Sequence, residues 1–237
     1  MKLEGRRSSR NLPASLSSGT VVSAPANGDC FFHLVAIGIK KVLQTESSNH
    51  LEALHQPKRK KIDTKNLNDD SISDSVAVLR EETTHELSEF STVTSLRNLV
   101  ADKYSEETFE LMVVAGQIPC TSRTVPTFDE FKAKLRNDRA FADEHCIGII
   151  SSHFNIAFLI LDDNIGGKPT CYWNGNKENL QNSEGETSQI TQPKYFMTLR
   201  LGRLHYSGIQ FGNKLLHDSK QLHPQISNFW ENEIRNI

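Results

Sequence analysis

Residues 26–39 read A-N-G-D-C-F-F-H-L-V-A-I-G-I: a polar turn, Asn27-Gly28-Asp29, runs straight into Cys30, and Cys30 runs into one of the most apolar stretches of the chain. Phe31, Leu34, Val35, Ile39 and Val42 recur at helical spacing, which predicts a helix of about 15 residues with Cys30 in its first turn. A thiol there faces unpaired N–H groups and the positive end of the helix dipole, both of which favour thiolate. Gly28 lets the backbone turn sharply, so the amides of Asp29 and Cys30 become candidate oxyanion donors. The competing reading is a small buried hydrophobe opening a core helix. Position alone does not separate the two.

Outward from this hinge, 237 residues with 37% hydrophobic content allow one substantial core. A net charge of −2 gives no global electrostatic reason to expect nucleic acid as a partner. Cys30, Cys120, Cys146 and Cys171 form no C-x-x-C pair, which argues against a zinc ribbon or a disulfide scaffold and points to a reducing, cytoplasmic setting. Ser, Asn and Pro rather than an apolar region follow Met1 to Arg7, so no secretory signal is expected. No stretch approaches the roughly 18 apolar residues of a membrane span.

Residues 1–20 read as a polar flexible tail, 21–215 as the main domain and 216–237 as a helical extension. A polar insertion occupies about 46–90, with a short helix expected around Ser75 to Leu87. Its Lys58-Arg59-Lys60-Lys61 run reads as a solvated loop rather than a targeting patch, given Asp69-Asp70 soon after. Helices are expected around Val93–Tyr104, around Phe109–Ile118, behind the capping box Thr127-Phe128-Asp129-Glu130, and over Asp143–Phe154. The apolar run from Ile156 to Leu161 then predicts a strand buried on both faces. Strands are also expected at Cys171–Trp173 and Tyr195–Leu201, and a two-residue turn at Gly202-Arg203 returns the chain through Leu204–Ile209. From Ser219 onward, Ile226, Phe229, Trp230 and Ile234 suggest a last amphipathic helix.

A nucleophilic thiol needs a base, and nine histidines compete. His33 lies one turn after Cys30 on the same helix, where a third group has little room to orient it. His145 and His153 share one helix, His50, His55 and His85 fall in the insertion, and His217 and His223 are expected in a loop. His205 differs, because a strand flanked by Leu204 and Tyr206 holds it in a mostly apolar region. A strand histidine with a purely structural role would look the same.

At this point the residues resemble a known family. Asn27-Gly28-Asp29-Cys30-Phe31-Phe32 is similar to the D-G-x-C-[LF]-[FY] nucleophile motif of the ovarian-tumour (OTU) cysteine proteases, and Leu204-His205-Tyr206 to their late H-Y motif. Ser95-Leu96-Arg97-Asn98-Leu99-Val100 resembles their "LR" helix, and Ala142–Ile147 through Phe154–Ala157 resembles the acidic helix start leading into the central strand. Four motifs in family order, from about Val21 to Phe211, favour Cys30 as nucleophile and His205 as base. The resemblance implies an α+β, papain-like fold in which a helical lobe packs on a small mixed or antiparallel sheet, with the active-site cleft between them. It implies a deubiquitinase that hydrolyses the isopeptide or peptide bond after the C-terminal glycine of ubiquitin or polyubiquitin, without cofactor or metal. A viral or bacterial effector of this kind would act in the host cytosol.

Two departures stand out. The family usually has Asp three residues before the nucleophile, where this chain has Asn27, and often Asp or Asn two residues after the histidine, where it has Ser207. An amide reaches further than a hydroxyl, so Asn27 is favoured over Ser207 as the polar residue supporting His205. Asp129, Glu130, Asp143 and Glu144 are candidates to receive the basic tail of ubiquitin, against the plainer role of helix caps. The alternatives are a catalytically silent ubiquitin-binding module, or a protease of the same fold acting on a ubiquitin-like modifier or a polyprotein.

Overall fold

The apolar run beginning at Ile156 becomes the central strand β2 (Ile156–Asp162) of a six-stranded sheet in a computed structural model, which describes residues 12, 16–55, 87–118, 125–137, 141–163, 168–173 and 192–231. β2 pairs antiparallel with β3 (Lys168–Tyr172) and parallel with β4 (Tyr195–Gly202). β4 pairs antiparallel with β5 (His205–Gln210), and β5 antiparallel with β1 (Thr20–Ser23), giving the order β1-β5-β4-β2-β3. The remaining strand, β6 (Leu216–Asp218), lines the start of β4 through Leu216↔Met197 and Asp218↔Tyr195. The sheet is mixed.

One face is covered by α1 (Cys30–His55), α2 (Val93–Lys103), α3 (Glu106–Val114), α4 (Phe128–Asn137) and α5 (Glu144–Phe154). Their Phe31, Leu96, Phe109, Phe131 and Ile147 share one core with Phe158 and Met197 of the sheet. The opposite face carries Ala157, Leu159 and Phe196 against Leu16, Ile226 and Phe229, the last two from α6 (Pro224–Phe229). Burial on both sides is why β2 reads as a continuous apolar run rather than an alternating one. Caps close the helices as their sequences require. Thr127 and Glu130 exchange side-chain to backbone hydrogen bonds at 2.8 and 3.2 Å, and Asp143 accepts from the Cys146 N–H at 2.8 Å.

Several expectations shift. α1 has 26 residues rather than about 15: past Gln44 the sequence supplies the good helix formers Glu46, Leu51, Glu52, Ala53 and Leu54, which carry no apolar stripe continuing that of Phe31 to Val42. The β4–β5 turn is Arg203-Leu204, one residue later than expected: Gly202 pairs with His205, Arg203 takes the left-handed φ of 55°, and Leu204 is left 77% exposed. His205 therefore opens its strand at the hairpin corner. β1 and β6 appear where no strand was expected. His217 lies buried in β6, and His223 caps α6 by accepting from the Gln225 N–H at 3.3 Å, so neither occupies a plain loop. Inside the stretch read as a tail, Leu16 is fully buried and the Ser18 N–H donates to the Gln225 side chain at 3.2 Å. The helix expected around 75–87 lies outside the described residues apart from Leu87, as does Ile234. Among the described residues, no helix is long and apolar enough to cross a membrane.

Gly208 sets how closely α1 approaches β5. A Cβ there would come within 2.5 Å of Leu215 Cδ2 and 3.1 Å of Leu34 Cδ2, and Leu34 lies one turn after Cys30. Gly208→Val should therefore lift the start of α1 and destabilise the fold by ~1–3 kcal/mol. Denaturant melts of the variant and parent check this, with equal midpoints as the contrary result.

Candidate active site

The hinge before Cys30 is built from three local devices. Gly28 has φ 85°, the left-handed conformation that favours glycine. The Asn27 N–H donates to the Pro25 carbonyl at 3.0 Å, and the Asn27 Oδ1 accepts from the Asp29 N–H at 3.2 Å, an Asx turn. The Asp29 carbonyl then accepts the first helical hydrogen bond, from the His33 N–H at 2.8 Å. The Cys30, Phe31 and Phe32 N–H groups thus have no carbonyl four residues back within the helix. Cys30 sits among them, 1% exposed.

The sulfur meets the last hairpin. The Tyr206 backbone N–H donates to Cys30 Sγ at 3.3 Å, across 176 residues of sequence. The peptide that makes this contact joins His205 to Tyr206, so the two motif ends are brought together. The contact is fixed from the side by Tyr206, whose ring stacks on Phe141 at 5.0 Å and meets Phe31 edge-on at 5.7 Å. Burial, then Tyr172 and Cys30 nearby, raises the Tyr206 phenol, so its ring acts as neutral packing. His205 Nδ1 is buried without a hydrogen-bond partner among the described residues. An unsatisfied buried imidazole nitrogen is a costly feature unless a reacting group uses it.

The remaining described histidines are occupied elsewhere. His153 packs edge-on against Phe90 and Phe154, His145 against Tyr104, and His223 stacks on Phe211. Burial pulls His217 down to about 4, outweighing its 3.1 Å contact with the Lys214 carbonyl. His33 stands half-buried on α1, on the same helix as Cys30. The other described thiols are poor nucleophiles: burial and then Asp143 push Cys146 well up, and burial pushes Cys171 up to about 12. Cys120 lies outside the described residues.

The supporting residues stand as follows. Asn27 spends its Oδ1 on the Asp29 N–H, so in this arrangement it shapes the hinge, and the Asp29 amide is turned into that turn. Of the two candidate oxyanion donors, Asp29 and Cys30, this leaves the Cys30 amide. Ser207 pairs with Ser23 and Arg200 on β5, two residues beyond His205. Neither Asn27 nor Ser207 bonds His205 Nδ1. Of the acidic candidates, Glu130 and Asp143 cap helices, and Glu144 accepts from the Tyr172 hydroxyl at 3.2 Å; burial first, and then Glu144, raises that phenol to about 12. Asp129 lies in the first turn of α4.

The sequence reading missed one group. Arg97 binds the Asp29 carboxylate through Nη2 at 2.6 Å and Nε at 2.8 Å, and its Nη1 donates to the Leu135 carbonyl at 2.9 Å. The guanidinium carbon stands 4.7 Å from the Phe32 ring centroid. The available signal was an arginine inside the apolar stripe of Leu96, Leu99 and Val100, since a buried cation needs a partner. Apart from all of this, an open cavity of about 720 Å³ lies between α3, α5 and β3, lined by Tyr104, His145, Tyr172 and Trp173 among others; neither Cys30 nor His205 lines it.

No protein-family model matches the sequence, and no curated protein matches it. Among solved structures, the chain is similar to an OTU deubiquitinase from Wolbachia pipientis wMel bound to ubiquitin, with 14% identity, a TM-score of 0.42, and coverage of 83% of this chain and 98% of that one. A second structure of an OTU deubiquitinase from that organism gives 13% identity and a TM-score of 0.38 over 92% of this chain and 98% of the other. An OTU domain in complex with ubiquitin gives 15% identity and a TM-score of 0.38 over 61% of this chain and 69% of that one.

Proposed function

We propose that this chain is an OTU-type cysteine deubiquitinase that hydrolyses the bond after the C-terminal glycine of ubiquitin. The observation that carries the reading is the contact of Cys30 Sγ with the peptide joining His205 to Tyr206, with His205 Nδ1 buried and unpartnered among the described residues. The order of the sequence motifs supports the substrate class. In the reaction, His205 takes the Cys30 proton and the sulfur attacks the glycine carbonyl carbon, forming a C–S bond. The carbonyl oxygen becomes an oxyanion facing the Cys30 N–H. His205 returns the proton to the leaving lysine amine as the C–N bond breaks, which leaves a thioester. His205 then deprotonates water, which attacks that thioester and releases the ubiquitin carboxylate and the thiol.

Steady-state cleavage of a fluorogenic ubiquitin C-terminal substrate, run beside a panel of ubiquitin-like modifiers, tests the assignment. Turnover of ubiquitin supports it, whereas turnover of another modifier alone moves the substrate. One observation favours a second reading, a silent ubiquitin-binding module: among the described residues no third group holds His205 Nδ1. Such a module would bind ubiquitin and turn over nothing.

Asn27 offers a graded test of the hinge. Asn27→Ala removes the acceptor of the Asp29 N–H and should slow turnover by about 10-fold to 10³-fold, the range for losing an orienting or oxyanion contact. Asn27→Asp keeps that oxygen and should retain activity. If Asn27→Ala matches the parent while Ser207→Ala is crippled, the supporting role passes to Ser207.

A further inference from the structure

Asp29 is the residue immediately before Cys30, and its carboxylate is gripped by two nitrogens of an arginine 68 residues later in sequence. Both side chains are almost out of water, at 5% exposed for Arg97 and 12% for Asp29. Burying two charges costs several kcal/mol per ion as an order of magnitude, so such a pair is weak evidence for stability by itself. Its geometry suggests another use. Two guanidinium nitrogens bind one oxygen of Asp29, the third ties to the end of α4 at Leu135, and the guanidinium carbon stands 4.7 Å from the ring centroid of Phe32, two residues past the thiol. Three elements, the hinge, α2 and α4, are pinned at one group.

We propose, resting on the function above, that Arg97 and Asp29 are positioning residues for the nucleophile. The hinge contains a left-handed Gly28 and a single Asx turn, neither of which fixes where the first turn of α1 points. The ion pair supplies that fixation and keeps Cys30 Sγ against the Tyr206 N–H, at the start of the strand that His205 opens. It also has an electrostatic role. A carboxylate one residue before the sulfur opposes negative charge on it, and pairing with Arg97 neutralises that carboxylate and draws it toward α2 and α4.

Two variants test the proposal. Arg97→Lys keeps a cation but loses the fork and the tie to Leu135, and Arg97→Met combined with Asp29→Asn removes both charges without leaving one unpaired. Each is measured for kcat and KM on a fluorogenic ubiquitin substrate, for the rate of Cys30 alkylation by chloroacetamide read by intact mass, and for melting temperature. The expected result is a kcat lower by about 10-fold to 10²-fold, with KM within about twofold and the protein folded at the assay temperature. Slower alkylation of Cys30 should accompany it. Unchanged kcat and alkylation in both variants overturn the proposal, as does a rise in KM alone. Activity loss matching only the unfolded fraction, or failure of both variants to fold, assigns the pair to the fold and overturns it too. Should the parent cleave no ubiquitin yet alkylate at Cys30 faster than either variant, the substrate reading fails while the positioning role stands.

Discussion

Replacing Cys30 with alanine is expected to lower turnover of a ubiquitin substrate by about 10⁴-fold or more, with the fold and ubiquitin binding nearly unchanged. The size follows from the chemistry: with no sulfur there is no thioester, and the remaining groups can only orient water. The fold should tolerate the change because Cys30 lies at the first helical position with a small side chain, and alanine leaves Phe31, Leu34 and Val35 in place behind it. The sulfur's contact with the Tyr206 N–H is the only hydrogen bond described for that side chain among the described residues, so its loss costs about 1 kcal/mol. Cleavage kinetics and a melt on the same preparation check both halves. A variant that still turns over within about tenfold of the parent places the nucleophile elsewhere.

The second large effect concerns the base. His205→Ala should abolish measurable cleavage, whereas His33→Ala should change it little. His205 opens β5 at a hairpin corner fixed by its pairing with Gly202, and the next peptide touches the sulfur. His33 sits one turn along the same helix as Cys30, so its ring has no separate element to carry it toward the leaving group. Removing His205 also removes a buried, unpartnered nitrogen, so the variant should melt no lower than a typical surface change allows. Single-turnover assays of both variants decide the matter. A larger loss at His33 reverses the roles, and equal loss in two folded variants removes the distinction on which His205 was chosen.

What the sequence revealed follows from where the forces are local. The thiol hinge was legible because a glycine, a polar turn and a 3.6-residue apolar stripe all lie within about 15 residues and act on the same short segment. β2 was legible because burial on two faces leaves no polar position in Ile156–Leu161, and the Thr127 and Asp143 caps because capping acts within one turn. The choice of Cys30 and His205 came from the motifs and not from periodicity, since the hairpin peptide that touches the sulfur, at Tyr206, lies 176 residues away. β1 and β6 escaped notice because four and three residues carry too little alternation, and β1 is an edge strand with mostly exposed side chains. The burial of His217 and of Leu16 likewise depends on what the chain folds against: the helix at Pro224–Phe229 and the second face of the sheet. The Arg97–Asp29 pair was half legible. An arginine stood in an apolar stripe and an aspartate beside the thiol, but only the fold shows that each answers the other.

The central claim is that this fold presents Cys30, and no other thiol, to the C-terminal glycine of ubiquitin. Ubiquitin carrying a C-terminal propargylamide reports it directly, because the alkyne is captured only by a thiolate held where the scissile carbonyl would lie. Incubation of the full chain with this reagent, intact mass and peptide mapping should give one ubiquitin adduct per chain, on Cys30, that is absent from Cys30→Ala. No adduct on the folded parent, or an adduct on Cys120, Cys146 or Cys171, contradicts the account.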